Sequence, residues 1–228
     1  MPLRSTPVIV SAGVAGRCTR RYEREAWRNG FSRVAGVDEV GRGALFGPVV
    51  AAAVILDPAR RIPGLDDSKK LTALTRRRLA GKIQERALAW AVAEIVPERI
   101  DAWNIYQASR QAMERALAEL APAPDYVLSD ALPLSLPVPC RALVHGDARS
   151  VSIAAASIVA KVYRDTLLEA LDREFPGYGL ARHKGYATRE HLERLRQHGP
   201  TPLHRKSFAP VRECLAILYA AEQNPLPF

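Results

Sequence analysis

The stretch from Val34 to Leu56, VAGVDEVGRGALFGPVVAAAVIL, decides the fold class. Val34-Ala35-Gly36-Val37 is a short apolar run leading into Asp38-Glu39, and a glycine-rich turn follows through Gly43. Pro48 to Leu56 is then unbroken, apolar and rich in β-branched residues, the pattern of a strand buried on both faces. Two strands joined by a glycine turn form a hairpin, which argues against a purely parallel sheet. Downstream, Leu74, Leu79 and Ile83 predict a helix over 72–88 with its arginines mostly outside. Trp90 to Val96 predicts a strand. Ala108, Ala112, Ala116 and Leu120 step at helical spacing through a helix over 105–120. Tyr126-Val127-Leu128 and Arg141 to Val144 predict two further strands, and residues 151–173 a long helix whose inner face, Ala155, Ala156 and Ala160, is small. Upstream, residues 19–29 predict a short basic helix with Thr19 as a cap, whereas the Pro-, Ser-, Ala- and Gly-rich residues 1–16 read as poorly ordered. Strands first, then alternation, then helices give an α/β protein: a mixed sheet with helices on its faces.

Asp38, Asp130 and Asp147 each follow an apolar strand. Strand ends are where side chains distant in sequence converge. Carboxylates gathered there repel one another unless a cation is present, and hard oxygen donors select Mg²⁺ or Mn²⁺ over zinc. Each acid taken singly reads rather as a solvated loop residue; the three together with Glu39 make a metal site an equal reading. Asp38 and Glu39 are adjacent, so strand alternation sends them to opposite faces unless the chain bends or ends there, as Gly41 and Gly43 would allow. Gly41-Arg42-Gly43 permits close backbone approach to an anion, or is an ordinary tight turn. Lys69 and Lys70 precede a helix and could meet phosphate or solvent. His183-Lys184-Gly185-Tyr186 and His204-Arg205-Lys206-Ser207-Phe208 interleave aromatics with cations, as nucleic-acid surfaces often do.

Composition narrows the class. The 228 residues are 48% hydrophobic and 25% charged, enough for one full core. No apolar run approaches the ~20 residues that span a bilayer, and the N-terminal pattern lacks the long apolar stretch of a secretion signal. Cys18, Cys140 and Cys214 are scattered and odd in number, which argues against a disulfide framework or zinc site and for a cytoplasmic setting. The net charge of +9 is uneven. Residues 1–33 hold seven basic and two acidic side chains, residues 182–212 eight and two, and 34–181 eighteen of each. Excess cations in two segments around a neutral body suit a polyanionic partner.

Taken together, GVDEVGRG (36–43), GPVVAAAVIL (47–56), DSKKLT (67–72), SDAL (129–132), HGDARSVSIAAASIVAKVYRD (145–165), HKGYAT (183–188) and HRKSF (204–208) resemble ribonuclease HII, the bacterial type 2 ribonuclease H. The likeness runs from about 33 to 210. It implies a ribonuclease H-like fold, a five-stranded mixed sheet flanked by helices with a helical C-terminal part. It divides the chain into a basic extension (1–32) and a catalytic domain (33–228). Asp38, Glu39, Asp130 and Asp147 match the family's catalytic carboxylates, with Asp38, Glu39 and Asp130 as metal ligands for Mn²⁺ or Mg²⁺. Gly41, Arg42 and Gly43 match the turn that reads the 2′-hydroxyl before the cut, Tyr186 the ring that stacks on the next sugar, and Lys69 a phosphate contact. The implied substrate is an RNA–DNA hybrid, or duplex DNA with an embedded ribonucleotide, cut on its 5′ side by a monomer. Ala44 and Phe46 depart from the usual Pro and Ala, His145 from Lys and Ser129 from an apolar residue, departures that bear on loop shape. The type 3 enzymes carry a long N-terminal substrate-binding domain, and the roughly 33 residues before the core favour type 2. A junction resolvase of the same fold and a non-catalytic RNA-binding protein are the competing expectations. A 2′-hydroxyl nucleophile would need acid–base histidines, whereas these histidines cluster in the basic segment.

Overall fold

The computed structural model describes residues 8–10 and 18–223, which fall into two compact units. The first unit draws on Met1–Val40, Val50–Glu94 and Ser109–Tyr163, the second on Gly41–Val49, Ile95–Ala108 and Arg164–Phe228.

The first unit is built on a mixed sheet. Its strands are β1 (Val8–Val10), β2 (Val34–Val40), β3 (Val49–Ile55), β4 (Ala89–Ile95), β5 (Tyr126–Asp130) and β6 (Cys140–Leu143), in the order β1-β6-β5-β2-β3-β4. β2 and β3 are antiparallel, with Asp38 opposite Ala52, so the expected hairpin is present. β2, β5, β6 and β1 run parallel. The five expected strands are therefore joined by a sixth. Val8–Val10, within the segment expected to be poorly ordered, pairs with Arg141–Leu143 as an edge strand. The rest of that expectation, residues 1–7 and 11–16, lies outside the described residues.

Helices α1 (Arg21–Arg28), α2 (Ala73–Arg86) and the first half of α5 (Val151–Glu174) belong to this unit. On one face, Ala52 and Val54 of β3 pack with Leu79 and Ile83 of α2 and with Ala154, Ala155, Ala156, Ile158 and Ala160 of α5. The small α5 side chains do what their size predicts. The backbone of Ser152 and Ile153 lies so close to Gly36 that a β-carbon there would overlap it. In another cluster, Tyr22 and Ala26 of α1 pack with Val34, Leu128, Leu143 and Ile153. Buried Glu23 of α1 accepts hydrogen bonds from Ser150 Oγ (2.6 Å) and Ser152 N–H (3.0 Å), an anion at the start of α5 where unpaired N–H groups need one. Two details differ from expectation. The N-cap position of α1 is Arg20 rather than Thr19, although Thr19 Oγ1 accepts a hydrogen bond from Arg21 N–H (3.4 Å) and Thr19 also bridges to Ser150. Leu74 is 80% exposed: it sits in the first turn of α2, and Leu79, Ala80 and Ile83 supply that helix's buried face.

The second unit holds α3 (Pro97–Trp103), α6 (Leu180–His183), α7 (Arg189–His198) and α8 (Ala209–Gln223); α3 was not anticipated. The remaining helix, α4 (Ile105–Ala118), divides between the units and buries Ala108, Ala112 and Ala116 as its spacing predicts. In the second unit the 41–48 segment is more than a turn. Its Leu45 packs with Leu195, Val211 and Cys214, and its Phe46 with Leu168, Tyr178 and Leu180. The Phe46 ring meets Phe175 and His204 edge-on, which gives the unusual residue a packing role. Among the described residues, no helix is long and apolar enough to cross a membrane.

Candidate active site

Two adjacent parallel strands place the first two acids side by side. Val37 of β2 pairs with Ser129 of β5, so Asp38 and Asp130 are the next residues along each strand. β6 ends at Leu143, and His145 turns the chain through a left-handed conformation (φ 55°) into a short 3-10 turn, Gly146–Ala148, that carries Asp147. Gly146 is closely surrounded there. Its N–H donates to Asp130 Oδ1 at 2.7 Å, and a β-carbon would come within 2.6 Å of Ile153 and 3.2 Å of that same oxygen. The result is a trio, Asp38, Asp130 and Asp147, whose ligand oxygens all lie within 4.8 Å of one another.

Asp38 and Asp147 are almost completely buried. Burial, then the charges of Asp130 and Glu39, push the Asp38 carboxyl well above the usual carboxylate range, while a hydrogen bond with Ser157 opposes this. Asp130 is pushed up to about 6 by burial and by Asp147, against the Gly146 N–H. Such crowding disfavours three negative charges without a cation. An all-oxygen, tightly grouped, partly dehydrated set fits a hard divalent ion such as Mg²⁺ or Mn²⁺. Lys69 is the nearby protein cation, with Nζ 3.1 Å from Asp147 Oδ2. Burial works against its charged form, but Asp147, Asp67 and Asp38 together outweigh that and the Lys69 pKa is raised. Asp67 holds the lysine's turn by accepting from Lys69 N–H at 2.9 Å.

Glu39 follows Asp38 and donates its N–H to Asp38 Oδ1 at 2.7 Å. The β2–β3 ladder continues through Glu39 opposite Ala51 to Val40 opposite Val50. The antiparallel ladder therefore continues past both acids, and the close trio is completed by Asp147. Ser157 and Ser68, whose hydroxyls lie 3.0 Å apart in the interior, were missed. Ser157 supports Asp38, yet in the sequence it reads as one more small residue on an alanine-rich face.

The remaining predicted residues lie in the second unit. Gly41 is buried with φ +90°, while Arg42 and Gly43 are exposed and the space beside Gly43 is open. Tyr186 is partly exposed and bridges Ala44 across an antiparallel contact. The HRKSF segment is not a cationic surface throughout, because His204 and Arg205 are completely buried. Arg205 donates to Gly47 O (3.0 Å) and Arg42 O (2.9 Å), and burial, then Arg164, lowers its pKa to about 9.

A profile of the ribonuclease HII family matches residues 35–211. The chain belongs to the ribonuclease HII family. The ribonuclease HII of Solibacter usitatus is 57% identical over 203 residues, which is 89% of either chain. The crystal structure of the ribonuclease H2 from Pyrococcus horikoshii superposes with a TM-score of 0.71 at 27% identity, covering 82% of this chain and 99% of that one. The crystal structure of Bst-RNase HIII in complex with Mn²⁺ shares the fold, with a TM-score of 0.62 at 24% identity over 81% of this chain and 70% of the other. As a ribonuclease HII, the chain is a divalent-metal-dependent ribonuclease H that cleaves the RNA of RNA–DNA hybrids.

Proposed function

We propose that Asp38, Glu39, Asp130 and Asp147 are the catalytic carboxylates, and that the chain cuts on the 5′ side of a ribonucleotide, including one embedded in duplex DNA. The observation that carries this is the trio, two of its acids buried, with oxygens within 4.8 Å of one another on two neighbouring strands and the turn after β6. Asp38 and Asp130 belong both to that trio and to the ligand set expected from the family. Asp147 joins them by geometry and Glu39 by its charge on Asp38. These acids would hold Mn²⁺ or Mg²⁺, which when bound supplies charge neutralisation at the scissile phosphate and a water of lowered pKa. The strands and the turn that gather the three aspartates contribute preorganisation. Water oxygen bonds to phosphorus as the bond to the 3′-oxygen breaks, leaving 3′-hydroxyl and 5′-phosphate ends.

We assign Gly41, Arg42 and Gly43 to the 2′-hydroxyl of the ribonucleotide on whose 5′ side the cut falls, with the open space beside Gly43 giving the substrate room to reach the backbone. Tyr186 would stack on the following sugar, and Lys69 would exchange Asp147 for a backbone phosphate. Residues 33–228 would carry the chemistry, with α1 of the preceding extension supplying packing and the Glu23 cap. A cytoplasmic monomer with its three cysteines free fits this reading. The test is cleavage of a DNA duplex carrying one ribonucleotide, with and without EDTA, beside a long RNA–DNA hybrid and branched DNA. Incision on the 5′ side of the ribonucleotide that EDTA abolishes is expected. Preference for branched DNA, or 2′,3′-cyclic phosphate ends, would replace this reading with a resolvase or a 2′-hydroxyl mechanism.

A further inference from the structure

Arg164 is completely buried, in the second half of α5. Its guanidinium makes three hydrogen bonds to backbone oxygens: Nε to Pro48 O (3.1 Å), Nη2 to Phe46 O (3.0 Å) and Nη1 to Lys184 O (2.8 Å). Two acceptors lie just beyond the Gly41–Gly43 turn, and the third lies two residues before Tyr186. The side chain also touches both ends of what it holds. Gly41 packs directly on its Nε, so that any β-carbon at Gly41 would collide with it. Its Cζ stands 5.6 Å from the centroid of the Tyr186 ring. Burying a guanidinium is costly, and three oriented carbonyls with an aromatic face are what offset that cost. Only a planar fork of several donors can meet these acceptors at once; a lysine ammonium on a flexible stem cannot.

We infer that Arg164 is a positioning residue that fastens the Gly41–Gly43 turn to the Tyr186 segment, so that both present themselves to substrate as one rigid piece. The inference rests on the proposed reading that the turn contacts the ribonucleotide and the ring the sugar of the nucleotide that follows it. Other bonds hold each part separately. Arg205 grips Arg42 O and Gly47 O of the turn segment. His191 Nδ1 lies 2.9 Å from Tyr186 O. Two backbone contacts, Leu45 N–H to Gly185 O at 2.8 Å and the Ala44–Tyr186 bridge, join the segments edge to edge. Arg164 reaches both Gly41 and the Tyr186 ring with one side chain. Its loss therefore leaves a turn that is still shaped and a ring that is still present, with one of the ties that fix their spacing removed. That spacing matters most where a ribonucleotide is followed by a deoxyribonucleotide, and least inside a long hybrid.

The experiment is kcat/KM for wild type and Arg164→Lys on a duplex with one embedded ribonucleotide and on a long RNA–DNA hybrid. The variant should lose about tenfold or more on the single ribonucleotide, the size of one lost aromatic stacking contact, and about threefold or less on the hybrid. A merely structural role would lower both by the same factor, and that result overturns the inference. A wild type that cuts neither substrate instead overturns the reading beneath it, so the two failures are distinguishable. Should Arg164→Lys not fold, native-state hydrogen exchange on the wild type decides. Peptides covering 41–48 and 183–188 should open together with one denaturant dependence, and independent opening overturns the inference.

Discussion

At the scale of single residues, the acids at the sheet ends are held in a state they would leave if a cation arrived. Asp130→Asn keeps the shape of the side chain and removes its charge. It should abolish turnover while leaving hybrid affinity within a few-fold, because affinity comes mainly from phosphate contacts elsewhere. Activity above a few per cent in Mn²⁺, measured beside binding by fluorescence anisotropy, would remove Asp130 from the mechanism. The same residue sets a pH dependence. Its folded pKa of about 6 lies above the ordinary 3.8, so between those values the folded chain binds more protons than the unfolded one. Metal-free stability from this group is therefore present at low pH and lost as pH rises through about 6. A divalent ion competes with that proton. The rise in Tm on adding Mn²⁺ should be larger at pH 7.5 than at pH 5, and small at both in Asp130→Asn; equal gains at both pH values in the wild type would contradict it.

At the scale of elements, buried polar chains fix segments that lack regular structure. Thr201 N–H donates to His204 Nδ1 (2.9 Å), which leaves His204 Nε2–H to donate to His191 Nε2 (3.2 Å) and His191 Nδ1–H to donate to Tyr186 O (2.9 Å). The relay works only with both rings neutral. Burial lowers His191 to about 4 and His204 to about 3, with the neighbouring imidazole adding to the His204 shift. The stability they confer is complete above the ordinary 6.5 and is lost as pH falls toward those values, since the unfolded chain then binds more protons. His204→Gln should lower stability at pH 7 by about 1–3 kcal/mol. It should also lose less than the wild type between pH 6.5 and 4; urea titrations with parallel pH dependences would disprove the relay. The relay marks a limit of sequence reading. The strands at Val34–Val40 and Val49–Ile55 and the alanine face of α5 were legible because apolar period and residue size act locally. Asp38 and Asp130 were legible because apolar runs end near them. Arg164, Arg205, His191 and His204 were not, because a cation or imidazole in a polar stretch looks like surface whether its partners are water or carbonyls distant in sequence. β1 was hidden for a related reason: three valine-like residues among Pro, Ser and Gly become a strand only when β6 offers an edge.

At the scale of the whole molecule, the +9 charge favours a polyanion only through the cations that can reach it. The excess over residues 182–212 is smaller in effect than in count. Arg205 is buried, and Arg182 and Arg189 pair with Glu190 and Glu193. Arg194 and Arg196 are exposed, and Arg194 meets only neutral Gln197 among the hydrogen bonds described for it. If these two arginines contact phosphates, each releases about one counterion on binding. Arg194→Gln with Arg196→Gln should then make the slope of log affinity against log salt shallower by about 2, while leaving Tm nearly unchanged. Arg205→Met should do the reverse. It leaves Gly47 O and Arg42 O without their donor, so Tm falls, but no surface charge that faces a phosphate is lost and the salt slope holds. Measuring both variants over the same salt series separates cations that bind substrate from cations that build the protein. A shallower slope for Arg205→Met, or an unchanged slope for the double variant, would show that charge counted along the sequence, not charge exposed in the fold, is the better guide to this surface.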